Sequence, residues 1–142
     1  MDPLEWPAVS CLKFKLAQWE QIRAEAERLA PEEACGLLAG IGEQVLSIFP
    51  VTNELHSPVR YRMEPSEQLR AFQQIDEQGW ELLGIYHSHP RGPDGLSYTD
   101  IAEAFYPESV YVIVSGGSGD WHYQGFLVRN GQVSQVPILI EA

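Results

Sequence analysis

Leu82-Leu83-Gly84-Ile85-Tyr86-His87-Ser88-His89-Pro90 reads as a buried strand that runs into two histidines and then stops. The apolar run from Leu82 to Tyr86 is short and uncharged, as in a strand covered on both faces. Residues two apart on a strand face the same side, so His87 and His89 present two imidazoles to one point. Pro90 cannot continue the hydrogen-bond ladder, and the chain turns away directly after the second imidazole. Arg91 to Leu96 contains two glycines and a proline and must be loop.

A short helix is expected from about Tyr98 to Phe105, with Ser97 before it and Asp100 in its first turn. Alone, those two residues read as an N-cap and a helpful acid at the positive helix end. Asp100 also returns close enough to add a carboxylate oxygen to the two imidazoles. Two imidazoles, one carboxylate and a vacant fourth position are what a catalytic tetrahedral zinc requires. The two roles are compatible, because capping fixes the helix end that presents Asp100. The full string H-x-H-x7-S-x2-D arises by chance on the order of 2 × 10⁻⁴ times in a chain of this composition.

Outward from this stretch, the pattern predicts a mixed sheet with helices packed on it, an α/β class. Leu12, Phe14 and Leu16 alternate as in a half-buried strand, and Gln18–Ala30 then changes to helical spacing until Pro31. Cys35–Ala39 and Val45–Val51 suggest paired strands around an Ile41-Gly42 turn. Tyr61–Met63 is a weaker strand candidate. Pro65 opens a helix through Gln78 with Leu69, Phe72 and Ile75 inward. Val110–Val114 is a further buried strand, and strands near Trp121–Val128 and Val133–Ile140 flank the Asn130-Gly131 hairpin signal. One domain is expected over 11–142, with residues 1–10 as a loose lead-in.

The chain has 142 residues, two cysteines and a formal charge of −11. That charge repels phosphate backbones and argues against nucleic-acid binding. No apolar run approaches a membrane span and the N-terminus lacks a signal-peptide pattern, so a cytoplasmic setting is expected. Two cysteines exclude a disulfide scaffold and a cysteine-only zinc site. Cys35, inside an apolar strand, reads as buried filler rather than a nucleophile. Gly116-Gly117-Ser118-Gly119 lacks the lysine of a phosphate loop and reads as a hairpin turn. His56 and His122 read as surface residues.

His87, Ser88, His89, Pro90, Ser97 and Asp100 resemble the motif of the JAMM (MPN-plus) zinc metallopeptidases. Glu33-Ala34-Cys35-Gly36-Leu37-Leu38-Ala39-Gly40 resembles that family's glutamate before a glycine-containing strand. Ser57-Pro58 through Glu67-Gln68-Leu69 and Glu81 to Tyr86 extend the likeness to about Leu12–Val136, nearest to the single-domain prokaryotic branch. The resemblance implies a fold related to cytidine deaminases. It implies one zinc per chain held by His87, His89 and Asp100, with Glu33 as general base and then acid, and Ser97 as an oxyanion or water partner. Glu32 competes with Glu33 by position. Glu33 is preferred because it precedes the strand glycine by three residues, as in the family, and shares a face with Cys35 and Leu37.

The function implied is a peptidase or isopeptidase acting at the C-terminal tail of a ubiquitin-like, β-grasp protein. One alternative is a hydrolase releasing an amino acid from a sulfur-carrier protein. Another is a noncatalytic scaffold of the MPN-minus type, whose members have lost ligands that this chain keeps. A zinc nucleobase deaminase would need H-x-E and P-C-x-x-C, and both are absent. The oligomeric state is not legible in the sequence.

Overall fold

A computed structural model describes residues 10–117 and 119–142. The chain runs β1 (Leu12–Lys15), α1 (Leu16–Leu29), β2 (Cys35–Ile41), β3 (Gln44–Val51), α2 (Pro65–Glu77), β4 (Glu81–His89), α3 (Tyr98–Ala102), β5 (Val110–Ser115), β6 (His122–Arg129), β7 (Gln132–Val136) and β8 (Ile138–Glu141). The strands form one mixed sheet in the order β7-β6-β5-β4-β2-β3-β1-β8. β4 sits near its centre, antiparallel to β2 and parallel to β5. The expected residues 1–9 of the lead-in, and Ser118 of the glycine turn, lie outside the described residues.

Two apolar clusters cover β4. Leu12, Phe14, Ile22, Ala26, Tyr86, Val112 and Val114 form one, with α1. Leu37, Met63, Ala71, Ile75, Ile85 and Tyr111 form the other, with α2. Pairing moves from Leu38↔Gly84 to Ala39↔Leu82, so Leu83 is an extra residue, a β-bulge. The bulge resets the alternation. Leu83 and Tyr86 therefore share one cluster, whereas Ile85, His87 and His89 occupy the other side.

Several elements differ from the sequence expectation for local reasons. Leu16 opens α1 and is 47% exposed, because the Gln18 side chain accepts from the Lys15 N–H and starts the helix there. The β2–β3 turn is Gly42-Glu43, with Gly42 at φ 65. Tyr61–Met63 forms no strand, only one bridge between Asn53 and Met63. α2 buries Ala71 and Ile75, while Leu69 is 58% exposed. α3 ends at Ala102, short of the expected Phe105. The expected strand 133–140 breaks at Pro137, which has no N–H for a ladder, and its halves join opposite ends of the strand order. The Asn130-Gly131 hairpin stands as read, both residues at positive φ, 52° and 78°.

Candidate active site

The end of β4 brings the two sequence-predicted histidines together. His87 and His89 are buried, and their Nε2 atoms lie 3.1 Å apart. Asp100 arrives from α3, with Oδ1 3.1 Å from His87 Nε2 and Oδ2 3.1 Å from His89 Nε2. Ser97 sets that helix: its Oγ accepts the Asp100 N–H at 3.0 Å, and its own N–H donates to Asp100 Oδ2 at 2.9 Å. Because the Ser97 oxygen is acting as acceptor, its O–H proton is free to donate elsewhere.

The donor set fits a metal cation. His89 Nδ1 bonds the Pro93 carbonyl at 2.8 Å, which makes it the donor and leaves a lone pair on Nε2 of the neutral ring. That lone pair faces a second imidazole nitrogen and a carboxylate oxygen, a set of donor atoms that a cation could bridge. The 3.1 Å separations lie near the edge length, about 3.3 Å, of a tetrahedron with zinc-ligand bonds of about 2.0 Å. Burial resists ionisation of Asp100, but its contacts with His87 and His89 overcome that and hold the carboxyl well below the usual range. Burial pushes His87 down, whereas Asp100 and the Pro93 carbonyl outweigh burial at His89 and raise it.

Glu33 enters from the start of β2, where Cys35 pairs with His87 across the strands. Its backbone is fixed on both sides. The Glu33 N–H donates to the Ser57 carbonyl at 2.9 Å, and Asn53 Nδ2 donates to the Glu33 carbonyl at 3.1 Å. The side chain is buried, and Oε1 has no hydrogen-bond partner among the described residues. Burial, reinforced by Asp100 and opposed by His89, pushes its pKa up to about 7. Glu33, His87 and His89 each offer a ligand atom within 4.8 Å of the others, a grouping compatible with a metal ion. Asp100 touches both imidazoles directly, so two carboxylates, Glu33 and Asp100, border the histidine pair. Glu32 points elsewhere, half exposed and 3.4 Å from His56.

Two contributors, Asn53 and Tyr61, were not singled out from the sequence as site residues. Buried Asn53 uses both ends of its amide: it donates to the Glu33 and Arg60 carbonyls and accepts from the Leu55 and Arg62 N–H groups. Tyr61 stacks on His87 with ring centroids 4.5 Å apart. The two residues share a cavity of about 540 Å³ that also reaches Asp100, Met63, Phe105 and Tyr106. Ser88 faces away from the two imidazoles, and its Oγ accepts the Ala34 N–H. Cys35 is fully buried, with its thiol pushed up to about 12 by burial, which makes it inert at neutral pH.

The family profile described as prokaryotic homologs of the JAB domain matches residues 16–125. A CysO-cysteine peptidase of Mycobacterium tuberculosis is 33% identical over 118 residues, 81% of each chain. A probable TtuB-protein conjugate cleaving protease of Thermus thermophilus is 37% identical over 121 residues, 84% of this chain and 78% of that one. Among solved structures, a Desulfitobacterium hafniense protein superposes with a TM-score of 0.82 at 33% identity, covering 92% of both chains. A JAB1/MPN domain protein of Archaeoglobus fulgidus gives 0.61 at 16% identity, over 92% of this chain and 99% of that one, and shares the fold.

Proposed function

The chain belongs to the prokaryotic homologues of the JAB domain, and from that premise we propose that it is a zinc-dependent peptidase or isopeptidase cutting at the C-terminal tail of a ubiquitin-like, β-grasp protein. The observation that carries this reading is the convergence of His87 Nε2, His89 Nε2 and Asp100 at 3.1 Å beside the buried Glu33, whose Oε1 has no hydrogen-bond partner among the described residues. The named relatives support the substrate class: one is a CysO-cysteine peptidase, the other a probable TtuB-protein conjugate cleaving protease.

His87, His89 and Asp100 would hold one zinc per chain. Zinc bound there supplies a Lewis acid and lowers the pKa of water to about 7. Glu33 takes the proton of the attacking water on Oε and later hands it to the leaving amine. A carboxyl raised by burial toward neutrality suits both halves of that task. The Ser97 hydroxyl donates to the developing oxyanion. Tyr61, Met63 and Phe105 offer an apolar wall beside Asp100, against which an extended tail can lie. No helix among the described residues is long and apolar enough to cross a membrane.

The CysO-cysteine peptidase favours a second reading, release of one amino acid from a sulfur-carrier protein. One assay separates the two. A β-grasp protein extended past its C-terminus by a single cysteine, or by a longer peptide, is incubated with the enzyme. Cleavage should stop with chelator and return with zinc, and the preferred extension identifies the substrate. Undiminished cleavage in chelator would refute the metal mechanism.

A further inference from the structure

The two imidazoles are not held alike. His89 is braced from behind by the Pro93 carbonyl at 2.8 Å, whereas His87 Nδ1 is buried and has no hydrogen-bond partner among the described residues. The brace on His89 comes from the loop between β4 and α3, which has no regular structure of its own. Such a loop orients a ligand only if something else holds it in place.

Asp94, the residue after Pro93, supplies that hold. Its Oδ1 accepts from Ser115 Oγ at 3.0 Å and from His122 Nε2 at 2.8 Å. Ser115 is fully buried and is the β5 residue in register with His89 itself. His122 opens β6 opposite Ser115, and its other ring nitrogen faces the Asp120 carbonyl at 3.1 Å. The Gly92 and Gly116 N–H groups both donate to the His89 carbonyl, at 3.0 and 3.2 Å. Gly117 lies so close to Arg91 and Gly92 that an added Cβ would sit 3.0 Å from their backbone. Asp94 thus ties this loop to β5 and β6 by side-chain hydrogen bonds immediately beside the carbonyl that His89 uses.

We propose that Asp94, clamped by Ser115 and His122, is a positioning residue that holds the Pro93 carbonyl on His89 and so sets the orientation of that imidazole toward zinc. The inference rests on His89 being a metal ligand, as read above. Groups that orient ligating imidazoles typically change metal affinity 10–100-fold when lost. Asp94 acts through one intervening carbonyl, so the lower end of that range is expected.

Zinc affinity is measured by competition with a chromophoric chelator for wild type, Asp94→Ala, His122→Ala and His122→Gln, alongside the melting temperature of each zinc-free protein. Asp94→Ala and His122→Ala should bind zinc about tenfold more weakly. His122→Gln keeps an N–H donor for Asp94 and should stay within about threefold of wild type. A second readout needs no metal: in ¹⁵N spectra of the zinc-free protein, the His89 Nδ1 proton should exchange slowly in wild type and quickly in Asp94→Ala. Folded Asp94→Ala with wild-type zinc affinity and a slowly exchanging His89 proton overturns the proposal. If Asp94→Ala does not melt cooperatively, His122→Ala against His122→Gln decides by the same criteria. Should wild type bind no zinc, the ligand reading fails, and the proton exchange still decides the clamp.

Discussion

The Tyr86 hydroxyl donates to the Glu25 carboxylate at 2.7 Å, and both side chains are buried on the side of β4 opposite the histidines. Gly36 makes the arrangement possible, since a Cβ there would lie 2.4 Å from the Tyr86 hydroxyl oxygen. Burial raises the Glu25 pKa above its ordinary 4.5, and the Tyr86 bond offsets only part of that. The folded protein therefore holds this proton more tightly than the unfolded chain does. Its contribution to stability is complete below about pH 4.5 and is lost as pH rises through the raised value. Glu25→Gln keeps an acceptor for Tyr86 and removes the charge. Its melting temperature should exceed that of wild type at pH 8 and match it near pH 4. Equal differences at both pH values would show that ionisation of Glu25 carries no cost.

Ser88 does for the site's frame what Tyr86 does for the core. Its Oγ accepts the Ala34 N–H at 2.7 Å, and its N–H donates to the Ala34 carbonyl at 2.9 Å, tying the residue after Glu33 to the residue between the histidines. Ser88→Ala leaves a buried N–H unpaired, at a cost of about 1–3 kcal/mol. Denaturant unfolding should show that loss, and kcat should fall while zinc stays bound. Unchanged stability would mean that water or a small shift satisfies Ala34.

Glu33→Gln should separate binding from chemistry. Glutamine keeps the size but cannot accept the proton, so kcat should drop toward 10⁴-fold with zinc retained. Ser97→Ala should cost about 10²–10³-fold as a lost oxyanion donor. Glu32→Gln is the control, because Glu32 pairs with His56 away from the histidines. A dead Glu32→Gln beside an active Glu33→Gln would reverse the assignment of the base.

On the proposed ligand set, removing any one of His87, His89 or Asp100 leaves two of its three donors, too few for a tetrahedral site. Elemental analysis of the alanine variants should find most of the zinc gone. Full occupancy in His87→Ala or His89→Ala would overturn the ligand set. Cys35→Ser should keep both zinc and turnover, since the thiol is buried and protonated. Loss of hydrolysis in a normally folded, zinc-loaded Cys35→Ser would point to a thiol mechanism.

What the sequence displayed, and what it concealed, follows from the range of the interactions. His87 and His89 are two residues apart on a strand, and Ser97 and Asp100 are three apart at a helix start. Local periodicity alone puts each pair on one face. The Leu83 bulge is different: it depends on how β2 and β4 pair, and no local pattern in Leu82–Tyr86 announces it. Asn53 reaches Glu33 across 20 residues, Asp94 reaches His122 across 28, and Ser88 reaches Ala34 across 54. Such polar residues look like ordinary loop or strand composition until the sheet closes. Leu69 shows the same limit from the apolar side, because the face α2 buries was settled by packing on the sheet and not by its own spacing.

The β6–β7 hairpin carries a practical consequence. Asn130 and Gly131 are exposed and already adopt the left-handed turn, and β6 runs from them to His122, beside the loop that braces His89. Seven strand steps at about 3.4 Å put Arg129, next to the tip, about 24 Å from that end. A peptide tag spliced between Asn130 and Gly131 would anchor the enzyme to a solid support by its far end. Immobilised this way, every copy would turn its cutting edge to the solution, as a reusable column for trimming fusion proteins requires.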